Sequence, residues 1–474
     1  MHRRQPAIVS AASAALECAF SRSPAIAAVA TLVPPHVKPP RAPLGRLAFL
    51  RAFVRNPLEA IPRAVYEEEA HAAGGRLWVS SPSLVRTVLL DEREKFQKVA
   101  QMRLLSPLLG RGILTSEGAE WKWQRQAAAP MFRQQDLLRF VPAFTQAAQR
   151  LVQRWRASPD PVRPIDRDMT HATFEVISAT LLPSADATVA PVVERSMATF
   201  QRWVGWSILY ASTGMPAWLP RPGMAASSRA VAMLRDAVHA MLREKGSGTF
   251  FEDNLMQRLM SARDPETGRS MDERQLVDNL LTFYLAGHET TARALGWTLY
   301  LLARSPQWAA RLEEEIARVT AGAPVAAEHL ERLVEVQQVI KEAMRLYPPV
   351  PLMGRQAVVR TSLGGRALAR GTTVMIPIYA IHRHARRWRE PDTFDPTRFT
   401  PDNEAKLERY QYLPFGAGPR ICIGMAFAMM EATAMLATFL QHARFSPVDG
   451  HEPYPVARVT LLPRGGMPLE VSLR

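Results

Sequence analysis

From Asp272 to Arg304 the chain carries Leu276, Leu280, Phe283, Gly287, Thr290, Ala294, Trp297 and Leu301 at spacings of three and four, the period of one helical face. At ~1.5 Å per residue such a helix is about 50 Å long, enough to cross a whole molecule of this size. The fold has to be arranged around that rod. Pro57 to Ala73, Gln134 to Ala157, Ser227 to Lys245 and Val325 to Leu346 read as further helices, the first closed by Gly74-Gly75 and the last by Pro348-Pro349. Strand signals are few: Arg76 to Ser80, Arg355 to Arg360, Thr372 to Ile378, and a C-terminal hairpin around Arg464-Gly465-Gly466. The expected class is mainly α with small β-sheets, without the strand–helix alternation of a doubly wound fold.

Composition removes several alternatives. Of 474 residues, 47% are hydrophobic and 22% charged, a globular profile rather than a disordered one. The two cysteines, Cys18 and Cys422, are far apart, which excludes a disulfide scaffold and a zinc knuckle and points to a reducing, cytoplasmic setting. Lys+Arg 59 against Asp+Glu 44 leaves a net charge of +15. The arginines are scattered and no finger or RNP-type pattern accompanies them, so nucleic acid is set aside, while an acidic protein or a peripheral lipid contact stays open. Near the N-terminus Glu17, Arg22, Ser23 and Pro24 interrupt an Ala-rich stretch well short of the ~18 apolar residues a membrane helix needs. No transmembrane anchor is expected. Residues 1–43 read as an extension ending in a stiff hinge, Pro34 to Pro40, with the globular body, 44–474, starting near Leu44.

Four signatures fail on inspection. His288-Glu289-Thr290-Thr291-Ala292 begins like a zinc protease motif but has Ala at the second ligand position. Gly416 to Arg420 lacks the Gly-Lys-Ser/Thr end of a phosphate loop and the third glycine of a dinucleotide fingerprint. No GxSxG elbow exists. Between Gln201 and Pro222 tryptophans and prolines crowd together, either as core or as an apolar lid over a pocket.

The segment from Phe415 to Glu431 is an irregular Gly/Pro loop running into an Ala/Met-rich helix, with Cys422 at or just before the helix N-terminus. Free N–H groups there, and Arg420 two residues away, favour a thiolate. Such a sulfur is a nucleophile, a metal ligand, or a buried inert cysteine; no motif nominates a histidine base for the first.

The whole string, FGxGxRxCxG, resembles the haem-binding loop of the cytochrome P-450 family. The resemblance implies a single-domain cytochrome P-450 fold, with the haem buried between the long central helix and this loop. It makes Cys422 the axial iron ligand, Arg420 a propionate partner and Phe415 the ring beside the sulfur, with Gly424 closing the loop. Four further motifs follow the family's order. Trp121 and Arg125, at i and i+4, resemble its WxxxR pair on a haem propionate, and Gly112 to Ser116 resembles the stretch leading into that helix. Ala286-Gly287-His288-Glu289-Thr290-Thr291 resembles AGxET. It implies Thr290 as the oxygen-side hydroxyl, Glu289 as the proton-relaying acid, and Ala286 and Gly287 close to haem and substrate; a mid-helix Gly and a Thr bonding the i−4 carbonyl would bend the helix there. Glu342 and Arg345 resemble ExxR, joined by Arg398 of Pro396-Thr-Arg398-Phe399, a structural brace. Arg355 matches another propionate-binding arginine.

The implied function is monooxygenation on haem b (iron protoporphyrin IX): one atom of O2 enters a lipophilic substrate and the other leaves as water. The alternatives are a peroxide-driven peroxygenase and a non-catalytic haem sensor; the Glu289-Thr290 pair argues against both. The chain reads as a soluble, bacterial-type member with no fused reductase, since fifty residues follow Gly424. Electrons are then expected from an external ferredoxin with its reductase, or a flavodoxin-type donor, docking over Lys122 and Arg133. Substrate-lining positions implied by the resemblance include Leu114, Phe283, Val350, Leu352, Met353 and Leu461.

Overall fold

The computed structural model describes residues 32–99, 105–181, 219–220, 222–244, 255–264 and 267–474, with isolated positions between 192 and 206. The expected extension up to residue 31 and nearly all of the 201–222 cluster lie outside the described residues. The longer helices are α1 (Arg46–Arg55), α2 (Gly118–Ala128), α3 (Val141–Ala157), α4 (Ile165–Leu181), α5 (Met224–Glu244), α6 (Leu255–Ser261), α7 (Glu273–Ala303), α8 (Pro306–Thr320), α9 (Val334–Leu346) and α10 (Met425–His442). Helix α7 is the expected rod, and its start is chemically marked. Asp272 accepts from the Gln275 amide at 2.8 Å while the Gln275 side chain accepts from the Asp272 amide at 3.2 Å, a reciprocal cap that satisfies two orphan N–H groups. Buried along most of its length, α7 packs on α4, α9 and α10.

The strands are short. They are β1 (Ala70–Ala73), β2 (Arg76–Val79), β3 (Phe96–Lys98), β4 (Val162–Pro164), β5 (Met353–Ala357), β6 (Thr361–Leu363), β7 (Arg366–Leu368), β8 (Thr373–Ile376), β9 (Ala443–Pro447), β10 (Tyr454–Ala457), β11 (Leu461–Arg464) and β12 (Pro468–Leu473). The main sheet runs β1-β2-β8-β5-β3, with β2 and β8 parallel and the other pairs antiparallel. Its register sets Lys98 opposite Arg355, which matters below.

Three expectations need correction. Pro57 to Ala73 is not a helix: two 3-10 turns, Pro57–Ala60 and Arg63–Tyr66, lead into β1. Pro57 and Pro62 start those turns, and Gly74 and Gly75, with φ of 59° and 70°, fold β1 back on β2. The C-terminal hairpin is displaced: β11 pairs with β10, whereas β12, after Gly465-Gly466, leaves for a different sheet between β4 and β9. The helix expected over Val325 to Leu346 is a 3-10 segment, Ala327–Arg332, followed by α9.

The compact unit begins at Val33, upstream of the expected Leu44. Val37 is buried, its N–H donates to the Tyr379 hydroxyl at 2.9 Å, and the Tyr347 hydroxyl donates to the Pro35 carbonyl at 2.7 Å. The Pro-rich strap is packed onto the body rather than acting as a hinge. Among the described residues, no helix is long and apolar enough to cross a membrane.

Candidate active site

One stripe of α7 is open in a helix that is mostly buried. Ala286 is exposed, while Leu285, Thr290 and Arg293 are half-buried; counted from Leu285 the four lie at i, i+1, i+5 and i+8, on one face. Thr290 Oγ1 donates to the Ala286 carbonyl at 2.7 Å and Thr291 Oγ1 to the Gly287 carbonyl at 3.1 Å, the local back-bonding the sequence implied. Gly287 serves the packing of α7. A Cβ there would lie 2.9 Å from Ile177 Cδ1, so the missing side chain is what lets α4 pack against α7. Glu289, buried, accepts from Thr460 Oγ1 at 2.7 Å and has Arg293 at 3.9 Å.

The cysteine loop is shaped by its glycines. Gly416 and Gly418 have φ of 70° and 68°, and a Cβ on Gly418 would meet the Leu89 carbonyl at 2.3 Å. The Cys422 amide closes the loop on the Phe415 carbonyl at 2.9 Å, and Gly424 caps α10. The Cys422 side chain is accessible to solvent yet closely ringed by protein. Burial pushes its thiol up, opposed by the Gly424 amide and Arg125. Among the described residues no three His, Cys, Asp or Glu side chains converge as a metal site. A single sulfur donor fits an iron that brings its remaining ligands in a macrocycle.

Beside the sulfur the fold gathers an excess of positive charge. Arg125 comes from α2, Arg355 from β5, Arg420 from the loop and Lys98 from β3. Burial lowers the pKa of all four. Arg420 falls to about 10, mainly by burial and further by Arg355 and Arg125. Lys98 falls to about 7 through burial, then Arg420 and Arg355. Glu117 is the carboxylate that answers them: it pairs with Arg420, while Arg420 also donates to the Ser116 carbonyl at 2.9 Å. The Arg420 guanidinium lies over the Trp121 ring, 4.0 Å from its centroid. Clustered cations with so little counter-charge fit the two carboxylates of a haem. Lys98 and Glu117 carry no motif; the β3–β5 register places Lys98 opposite Arg355, and Glu117, just before α2, is placed by its pair with Arg420.

Glu342, Arg345 and Arg398 lie together. Arg345 and Glu342 are wholly buried, joined by bonds of 2.6 and 2.8 Å, and Arg398 lies 3.5 Å from Glu342. Of the substrate-lining nominees, Leu114, Val350, Leu352 and Met353 are half-buried, whereas Phe283 is buried edge-on against Phe132. Leu461 is in the core, its carbonyl held by Trp297 Nε1 at 3.2 Å; strand alternation leaves Leu462 on the more open side.

The sequence model of the Cytochrome P-450 family matches residues 75–468. The chain is 32% identical to the cyclooctat-9-en-7-ol 5-monooxygenase of Streptomyces melanosporofaciens over 377 residues, 78% of this chain and 80% of that protein. It is also 32% identical to cyclooctatin synthase of the same organism over 383 residues, covering 80% and 83%. Cytokinin hydroxylase of Arabidopsis thaliana is 30% identical over 372 residues, 76% and 71%. The chain belongs to the cytochrome P-450 family. It is a haem-thiolate oxidoreductase whose cofactor is iron protoporphyrin IX with cysteine ligation, and its reaction is monooxygenation.

Proposed function

We propose that Cys422 holds the iron, that Trp121, Arg125, Arg355 and Arg420, with Lys98, hold the propionates, and that Glu289 and Thr290 manage the protons. The observation that carries this is the pairing of one accessible, closely ringed thiol with an under-compensated cation cluster. Haem, when bound, supplies dioxygen activation, and thiolate ligation favours O–O cleavage. The protein supplies the rest. Thr290 spends its own proton on the Ala286 carbonyl, so its oxygen is left as an acceptor that can hold a proton donor in the open stripe of α7. Glu289, one residue back, is an acid within reach of that stripe. Phe415 and Gly424 fix the loop around the sulfur, and Ala286 offers a small face to the reacting groups.

The substrate is a lipophilic molecule, met by the half-buried Leu114, Val350, Leu352 and Met353. The monooxygenase relative acting on cyclooctat-9-en-7-ol favours a terpenoid-sized carbocycle over a small polar compound. Electrons come from a separate acidic iron–sulfur or flavin protein docking over the exposed Lys122 and Arg133, steered by the +15 charge. The cytoplasm suits a chain with two cysteines.

The decisive experiment is the spectrum of the reduced carbon monoxide complex. Wild type should show the strongly red-shifted Soret band of a thiolate haem, and Cys422→His should lose it while keeping bound haem. A thiolate band that survives in Cys422→His would transfer the assignment to Cys18.

A further inference from the structure

Glu289 is not free to turn. Its Oε1 accepts from Thr460 Oγ1 at 2.7 Å, and both side chains are buried, at 6% and 3% exposure. Arg293, one turn along α7, brings its Nη2 to 3.9 Å from the same oxygen, and its Nε is buried without a hydrogen-bond partner. The carboxylate is thus pinned by one short hydrogen bond, beside a cation that is itself under-satisfied.

Thr460 belongs to the tight connection between β10 and β11, and that connection is anchored on several sides. The Arg458 amide donates to the Thr460 carbonyl at 2.9 Å, and the Ala457 amide to Asn56 Oδ1 at 3.1 Å. The Leu461 amide donates to the Pro349 carbonyl at 3.0 Å, immediately before the half-buried Val350 and Leu352. The same strand that holds the acid is therefore tied to the segment nominated to touch substrate. A threonine hydroxyl donates more strongly to an ionised carboxylate than to the carbonyl oxygen of a protonated one, so the strength of this contact depends on where the proton is.

We propose that Thr460 is a positioning residue for Glu289: it aims the carboxylate and couples proton delivery to the 349–353 segment through the β10–β11 connection. The proposal rests on the reading of Glu289 as the proton-relaying acid, and the experiment separates the two.

In the haem-loaded enzyme, the Glu289 carboxylate band is identified by its loss from the infrared spectrum of Glu289→Gln. Thr460→Val, which keeps the shape and removes the donor, should shift that band, and Thr460→Ser should restore it. The second readout is the share of consumed dioxygen released as hydrogen peroxide during ferredoxin-supported NADPH oxidation without added substrate. Thr460→Val should raise that share about threefold to tenfold, the worth of one hydrogen bond, and Thr460→Ser should remain within about twofold of wild type. Where the valine variant does not accumulate, Thr460→Ala is read in the same two ways. An unshifted band and an unchanged peroxide share in Thr460→Val would overturn the positioning role. If Glu289→Gln also left the peroxide share unchanged, the reading of Glu289 as relay would fall with it; an effect in Glu289→Gln alone would sink only Thr460.

Discussion

Arg345 and Arg420 are both removed from bulk water, yet their surroundings are built in opposite ways. Arg345 uses all five of its N–H groups: two on Glu342, and the others on the carbonyls of His382, Pro391 and Thr393. Glu342 in turn accepts from the Asp395 amide at 2.9 Å. Every donor of Arg345 is therefore used and none is left for anything else, although Arg398 Nε, 3.5 Å from Glu342, has no hydrogen-bond partner. Around Arg420 the arithmetic does not close. Lys98, Arg125 and Arg355 share its neighbourhood: Arg355 and Arg125 lower the affinity of Arg420 for its proton, and Arg420 and Arg355 lower that of Lys98, with Glu117 as the opposing carboxylate. A satisfied cluster of buried charge fixes a fold, whereas an unsatisfied one reserves a place for a ligand of opposite sign.

The contrast is tested most severely at the brace. Arg345→Ala leaves Glu342 fully buried with Arg398 3.5 Å away as the nearest cation. The expected cost is about 3–5 kcal/mol, the loss typical of a broken buried ion pair, seen as insoluble protein or a large drop in denaturation midpoint. The loss should be the same in protein stripped of haem. A midpoint shift that appears only when haem is bound would show that the brace acts through the cofactor, and the contrast would fail.

Acid should attack the same region next. His382 is fully buried; its Nε2 accepts from the Leu413 amide at 2.7 Å and its Nδ1 faces the Arg345 carbonyl at 3.2 Å. Burial, then Arg345 and Arg383, bring its pKa down to about 3. The sign follows: above pH ~6.5 both folded and unfolded chains hold it neutral, and between ~6.5 and 3 only the unfolded chain takes the proton. Stability therefore falls as pH drops through that window, by about 1.4 kcal/mol per unit at most. His382→Gln should flatten the slope of denaturation midpoint against pH; an unchanged slope would assign the acid sensitivity to other groups.

How much of this was legible in the sequence divides along the same line. The rod Asp272 to Arg304 could be bounded within a residue because its period and its cap are both local. The cysteine loop and the Glu342-Arg345 pair were legible because chemistry demands a fixed spacing. Pro57 to Ala73 misled because its apolar spacing suits a helix, while the prolines and the pairing of β1 with β2 impose another structure. The Gly465-Gly466 turn looked like a hairpin, but β12 finds its partners in β4 and β9, far away in sequence. That Leu461 is buried while Leu462 is half-buried was not legible, because the face a strand residue presents depends on register, which no motif carries. Lys98 and Glu117 bear on the site only through tertiary neighbours.

Lys98 offers the smallest effect and the sharpest form of the comparison. With a folded pKa of about 7 against an ordinary value near 10.5, its charge is held at a cost, set first by burial and then by Arg420 and Arg355. Between pH ~7 and ~10.5 the unfolded chain carries more protons on this lysine, so stability of the haem-free protein should rise with pH across that range. Lys98→Met removes a half-buried cation and the bond it donates to the Leu114 carbonyl, and keeps most of the apolar stem. In haem-free protein at pH 7 the net change should be within about 1 kcal/mol, because relief of repulsion offsets the lost bond. In haem-loaded protein the variant should release haem to apomyoglobin several-fold faster, since a propionate loses one of its cations. A lysine belonging to a closed network would behave in the reverse manner, destabilising the haem-free protein while leaving haem release untouched. Measuring both quantities on the one variant decides which kind of cluster Lys98 belongs to.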